Sequence, residues 1–140
     1  KRLCLKMTLR PINALFTPHI PVSWGELFDK ISILEIKKEN VLNELAMKNI
    51  IQELEVLDKL ISDDILNNRG LMDLRVELKN INQNIWNIED EIRIKESTHD
   101  FGDRFIELAR NTYIINDKRA SVKRSISNIL NSLIVEEKIY

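Results

Sequence analysis

The chain has 140 residues, of which 44% are apolar, and this is the size of one ordinary domain with a single hydrophobic core. Its three glycines and three prolines are too few to favour a β-sandwich or a glycine-rich nucleotide-binding fold. The 21 Lys and Arg residues nearly balance the 22 Asp and Glu residues, so no global positive field attracts nucleic acid or an acidic membrane, and we expect no nucleic-acid partner.

Cysteine, histidine and hydropathy exclude further classes. Cys4 is the single cysteine, so an internal disulfide and a zinc cluster are excluded, as in a reducing cytoplasm. His19 and His99 lie far apart in the sequence, and we expect neither a metal nor a cofactor. No apolar run approaches the roughly 20 residues that cross a bilayer, and none forms a signal peptide. We therefore expect a soluble, cytoplasmic protein. Because the sequence does not start with methionine, we also expect it to be a piece of a longer chain.

The first helix is predicted by a change of pattern after two prolines. Residues 1–19 carry no firm periodicity and are expected to form an irregular extension. The prolines keep the backbone extended, and Ser23 and Glu26 have the spacing of a capping box, in which each side chain satisfies a free backbone amide. Apolar residues then recur at helical spacing, which predicts a helix over residues 24–41.

Two further helices follow. Asn43 is a suitable N-cap for a second helix that runs through Ser62, because its apolar residues step by threes and fours. A polar turn cluster occupies residues 62–70. The third helix, over residues 71–96, has a coiled-coil-like seam of seven aliphatic residues. They are Leu71, Leu74, Leu78, Ile81, Ile85, Ile88 and Ile92.

A short polar connection leads to the last helix, with Asp100 or Asp103 as the expected N-cap and Ser132 near its end. Short connections between long helices favour antiparallel neighbours. The sequence therefore predicts an all-α fold, an antiparallel (up-down) helical bundle with two long C-terminal helices. We expect residues 20–140 to form this single bundle domain.

Arg119 interrupts the inner apolar stripe of the last helix. A guanidinium among apolar side chains costs several kcal/mol unless an anion meets it, so Arg119 must have a partner. Asn116 and Lys123 share its helix face, and Glu89 or Asp90 of the preceding helix could supply the carboxylate. An internal ion pair that fixes the helix register is favoured over a bound ligand anion.

The spacing of residues argues against a metal site and against a nucleotide site. The acidic run that contains Glu89 and Asp90 lacks a histidine three residues away, so a salt-bridged or solvated face is favoured over a metal site. No Gly-x-Gly-x-x-Gly and no Gly-Lys-Ser/Thr pattern occurs, which excludes a Rossmann or P-loop nucleotide site.

Several separated blocks of the chain resemble a bacterial family catalogued as domain of unknown function 6165. The blocks are residues 21–27, Asp29 with Lys30, residues 33–37, Trp86, residues 88–90, residues 92–93, residues 105–110, Tyr113, residues 116–117, residues 119–120, Lys123, residues 135–138 and Tyr140. The resemblance covers residues 20–140, while residues 1–17 lie outside the usual family start. It also departs at Asn40, where the pattern usually has a basic residue.

The resemblance points to candidate site residues, but it implies no specific activity. Family members occur attached to, or encoded near, repeat proteins and glycosyltransferases, which implies a link to cell-surface carbohydrate pathways. The candidate anion- or partner-binding residues are Lys30, Arg93, Arg110, Asn116, Arg119 and Lys123. The candidate acidic partners are Glu26, Glu35, Glu89, Asp90 and Asp117.

Two functions remain open from the sequence. The first is a non-enzymatic binding or assembly module, homo-oligomeric or bound to a protein partner, whose charges form interhelical networks. The second is a small helical enzyme or sensor that binds a phosphorylated or carboxylated metabolite between helices. In that case the clamp would be Arg93, Arg110, Arg119 and Lys123, with Glu89 or Asp117 as acid or base.

Overall fold

The computed structural model describes residues 17–139. Within that range the chain forms five helices and no strand. They are α1 (Trp24–Asn40), α2 (Glu44–Asp58), α3 (Asp63–Leu66), α4 (Leu71–Ser97) and α5 (Asp103–Ile129). The predicted all-α class, with two long C-terminal helices, is confirmed. The prediction of an irregular N-terminal extension falls mostly on residues 1–16, which lie outside the described residues.

Helix α1 begins at the predicted residue, but the structure shows only one of the two predicted capping-box contacts. The Ser23 hydroxyl accepts a hydrogen bond from the Glu26 backbone amide at 3.1 Å, which is one half of the capping box. The Glu26 carboxylate meets Lys123 of α5, 2.7 Å away. The helix ends at Asn40 because Val41 is extended, with ψ of 134°.

Two predicted helix ends were wrong. The second helix was expected to reach Ser62, but α2 ends at Asp58 and the polar turn cluster contains the single-turn helix α3. The last helix was expected to reach Ser132, but α5 ends at Ile129. Asn131 adopts a left-handed φ of 51°, and the amide of Ser132 donates to the Ser127 carbonyl at 2.8 Å, which closes the helix end.

The predicted N-cap of α5 was also wrong. Gly102 is the cap and Asp103 is already the first helical residue. The Asp100 carboxylate instead accepts from the Gly102 amide at 3.3 Å and so fixes the turn. Across this turn Arg104 makes a bidentate contact with Glu91, at 2.7 and 2.8 Å. This contact joins the adjoining ends of α4 and α5, which run antiparallel.

Helix α1 lies across the α4–α5 hairpin and packs on both of its helices, and α2 packs on α1. The contacts of Gly25 with Ser127 and of Asp29 with Arg119 show that α1 runs antiparallel to α5. The buried core cluster joins α1, α4 and α5. It consists of Phe28, Leu71, Leu78, Val122 and Ile126. Helix α2 contributes no fully buried residue, so the three helices α1, α4 and α5 form the structural centre.

Candidate functional site

The most unusual side chain in the core is the carboxylate of Asp29 on α1, which is only 3% exposed. A buried carboxylate is costly unless it is paired and hydrogen-bonded. Arg119 of α5 provides both, since its Nε lies 2.9 Å from Oδ1 and its Nη2 lies 2.6 Å from Oδ2. This bidentate geometry is the strongest form of the Arg–carboxylate contact.

Helix α4 joins the same site through a buried amide. The Nδ2 atom of Asn82 donates to Asp29 Oδ1 at 2.8 Å and to the Ser32 hydroxyl oxygen at 2.6 Å. The Ser32 hydroxyl in turn donates to the backbone carbonyl of Asp29 at 2.8 Å. The one carboxylate of Asp29 therefore connects three helices.

Lys123 extends the site toward the surface. Its side chain is 12% exposed, and its Nζ lies 2.7 Å from Glu26, 2.7 Å from Glu136 and 3.8 Å from Asp29. Burial lowers the pKa of Lys123, but the hydrogen bonds to Glu136 and Glu26 outweigh it, and the net pKa is raised above the ordinary value. We call all the residues that are joined by these contacts around Asp29 the Asp29 network. They are Glu26, Asp29, Ser32, Asn82, Arg119, Lys123 and Glu136.

Gly25 allows α1 to approach α5 this closely. A Cβ atom at this position would lie 2.2 Å from the carbonyl oxygen of Lys123, which only a hydrogen can tolerate. The amides of Trp24 and Gly25, in the first turn of α1, donate to the hydroxyls of Ser132 and Ser127, each at 3.0 Å. First-turn amides have no acceptor within their own helix, so these two serines cap α1 from the end of α5.

The structure brings together four of the predicted site residues. Glu26, Arg119 and Lys123 belong to the Asp29 network, and Asn116 Oδ1 accepts from Arg119 Nη1 at 3.4 Å. The predicted need of Arg119 for a carboxylate is met. The proposed partners Glu89 and Asp90 were wrong, because Asp29 of α1, and not α4, supplies the carboxylate.

The other candidates lie apart from the network. Lys30 pairs with Glu53 of α2 at 2.7 Å, and Glu35 pairs with Lys79 of α4 at 3.3 Å. Arg93 pairs with Glu89 along the exposed flank of α4.

The remaining three candidates are also surface residues. Asp117 contacts Lys138, and Asp90 and Arg110 are exposed. The four cations of the proposed metabolite clamp therefore do not converge in this structure, since only Arg119 and Lys123 are neighbours.

Three network residues, Ser32, Asn82 and Glu136, were not predicted from the sequence. The resemblance singles out Asp29 among its polar residues but does not identify it as an acidic partner. Asp29 belongs to the family-like blocks, but nothing in its local pattern marks it as the partner of a residue 90 positions away. A usable signal does exist, because Gly25, Asp29 and Ser32 repeat small or polar side chains at helical spacing along one face of α1.

The network is chemically satisfied as folded. Three carboxylates (Glu26, Asp29 and Glu136) face two cations (Arg119 and Lys123), so it has no spare positive charge for a small anion. Among the described residues, no buried side-chain nitrogen or oxygen lacks a hydrogen-bond partner. Between residues 17 and 139 no group of three His, Cys, Asp or Glu side chains is placed to hold a metal ion.

The fold and the network define an all-α bundle whose central helices are joined by a buried ion pair. The chain belongs to the family of unknown function DUF6165, whose model matches residues 19–140. The family predicted from the sequence is thus confirmed. No curated protein and no solved structure matches the chain. None of the helices in the described part of the chain is long and apolar enough to cross a membrane.

Proposed function

We propose that the chain is a non-enzymatic helical assembly module that forms homo-oligomers. One contrast carries the proposal: the buried charged side chains are already paired with one another, whereas several large apolar side chains lie outside. A polar group held for chemistry would instead face a cavity with unmet hydrogen-bonding capacity. The Asp29 network therefore serves the fold, and the outer surface serves binding.

The apolar surface that best fits this role lies on the turn-proximal half of α5. Ile106, Arg110, Tyr113 and Ile114 are separated by helical spacings and share the face opposite the core, and we call them the outer patch. Ile106 is 53% exposed and Tyr113 is 59% exposed. A shallow cavity of about 340 Å³ runs along this face. Aromatic and aliphatic side chains beside an arginine are typical of the centre of an interface.

Light scattering after size exclusion tests the proposal. We expect the wild-type chain to form a defined oligomer and the variant I106E/I114E to be a folded monomer, because two unpaired carboxylates would be buried at the interface. V56E places a charge at an exposed apolar position of α2 and serves as the matched control, which should keep the oligomer. A stable wild-type monomer would contradict the proposal.

A metabolite-binding enzyme or sensor is the alternative, and the separation of its four proposed cations gives it less support. A thermal-shift screen of phosphorylated and carboxylated metabolites, with and without magnesium, tests it. A ligand at a hundred times its Kd adds about 2.7 kcal/mol of stability, which such a screen would detect. The link to cell-surface carbohydrate pathways and the cytoplasmic location stay predictions.

A further inference from the structure

The segment after α5 doubles back along that helix. We call residues 131–139 the tail. Asn131, with its left-handed φ, reverses the chain direction. Ser132 then anchors the start of the tail, because its hydroxyl accepts from the Trp24 amide at 3.0 Å. The reversal brings the acidic end of the tail beside the basic residues of α5.

Ion pairs with α5 hold the tail in place, beside two partly covered apolar side chains. Glu136 lies 2.7 Å from Lys123, and Glu137 lies 3.1 Å from Arg124. Arg124 also donates to the backbone carbonyl of Glu136 at 3.3 Å, so it contacts the peptide as well as the side chain. Leu133 and Ile139 stay outside, at 99% and 92% exposed, whereas Ile134 and Val135 are partly covered, at 38% and 46% exposed.

The surface under the tail has the chemistry of a carboxylate-binding groove. A cavity of about 220 Å³ separates the tail from α5. On the α5 side it is lined by two hydroxyls and two cations, those of Ser121, Ser127, Lys123 and Arg124, which we call the α5 groove. Hydroxyls and cations both donate to carboxylates.

The tail can leave the α5 groove without leaving a buried charge unpaired. Lys123 keeps its contact with Glu26 when Glu136 leaves, and Arg124 is exposed and can be hydrated. Among the described residues, three ion pairs break when the tail leaves, and they are Glu136–Lys123, Glu137–Arg124 and Lys138–Asp117. The tail residue of each pair is exposed, and exposed ion pairs are weak. A competing segment with the same charges could therefore displace the tail.

We propose that the α5 groove is a docking site for an extended acidic segment of a partner protein, and that the tail fills it as a competing intramolecular ligand. The proposal rests on the proposed function only in that the chain binds proteins. A second copy is a less suitable occupant, because the centres of the outer patch and of the α5 groove lie about 14 residues apart along α5. That separation is about 21 Å at 1.5 Å per residue, and Ser132 tethers each tail to its own chain.

The experiment measures the binding of a labelled synthetic peptide with the sequence of residues 133–139 to the full chain by fluorescence anisotropy. An intramolecular ligand competes at a high effective concentration, so wild type should bind the peptide weakly. The variant E136Q/E137Q weakens the tail and leaves the groove intact, and we expect at least about tenfold tighter binding. The affinity should fall as salt is added.

Two controls define the site. E89Q/D90N removes two carboxylates from the exposed flank of α4 and should bind the peptide like wild type. Adding R124Q to E136Q/E137Q should abolish the gain, as should a peptide with glutamine in place of both glutamates. The proposal would be overturned if wild type and E136Q/E137Q bound the peptide with equal affinity, or if adding R124Q left the peptide affinity unchanged.

Light scattering separates this proposal from self-association. If E136Q/E137Q turns a wild-type oligomer into a monomer, the groove takes the tail of a second copy and the partner proposal is wrong. If I106E/I114E is monomeric and the same substitutions in the E136Q/E137Q background leave the peptide affinity unchanged, both proposals stand. A wild-type monomer in which E136Q/E137Q gains affinity would sink the self-association proposal alone.

Discussion

Helix α1 and the tail both attach to the C-terminal half of α5, and both use carboxylate–cation pairs to do so. On the α1 side the Asp29 carboxylate is buried and meets Arg119 at 2.6 Å, with Asn82 completing its hydrogen bonds. On the tail side Glu137 is exposed and meets Arg124 at 3.1 Å. The same chemistry should therefore have unequal consequences, since removing one partner of a buried pair costs much more than breaking an exposed pair.

The largest expected effect comes from Asp29→Ala. It leaves the half-buried Arg119 without its counter-charge and removes an acceptor from Asn82, so the free energy of unfolding should fall by about 3–5 kcal/mol. Urea denaturation measures this loss. Asp90→Ala, at an exposed site on α4, should change stability by less than about 0.5 kcal/mol. A similar small change for Asp29→Ala would show that the buried pair contributes little.

Gly25→Ala tests the close approach of α1 to α5. Helix propensity alone would make this change stabilising by about 0.5–1 kcal/mol. The new Cβ would lie 2.2 Å from a backbone oxygen, however, so we expect the packing cost of about 1–3 kcal/mol to win. Gly102→Ala, where the nearest atom is 3.4 Å away, should cost less. A stabilised Gly25→Ala variant would contradict the observed contact.

The dependence of stability on pH tests the pairing of Lys123. Its pKa is raised in the folded chain, so its contribution is complete below the ordinary lysine pKa of about 10.4 and is lost as the pH rises through the higher folded value. The free energy of unfolding should thus fall as the pH rises above the ordinary lysine pKa of about 10.4. Lys123→Met should flatten this part of the profile more than Lys79→Met, which removes a more exposed pair.

The smallest effect is expected for E136Q/E137Q. Both carboxylates are exposed, so their loss should lower the free energy of unfolding by less than about 1 kcal/mol. The difference from wild type should vanish near 1 M salt, where the Debye length is about 3 Å. A larger loss that persists in salt would mean that the tail is part of the core, and it would remove the contrast with α1.

The helices could be predicted from the sequence because their signals are local. The aliphatic seam of α4 and the Ser23 cap of α1 lie within one or two turns of the residues that they organise. The helix ends at Asp58 and Ile129 were missed because apolar periodicity continues past both, and the left-handed Asn131 that follows the second end leaves no periodic signal. Periodicity shows which face is buried and leaves the end of the helix open.

Only one partner of the buried ion pair, Arg119, could be predicted from the sequence. The position of Arg119 on an apolar stripe required a carboxylate, and this inference holds for any fold that buries the stripe. The identity of Asp29 depends on how α1 crosses the hairpin, which no periodicity specifies. Glu136 was missed for a different reason, because the tail has no regular pattern and its place on α5 depends on charges that are distant in sequence.

A pair of double-mutant cycles tests most directly whether burial separates the two attachments. One cycle combines Asp29→Ala with Arg119→Ala, and the other combines Glu137→Ala with Arg124→Ala, each followed by urea denaturation. We predict a coupling free energy above about 1.5 kcal/mol for the first pair and below about 1 kcal/mol for the second. Equal coupling free energies in the two cycles would contradict the account.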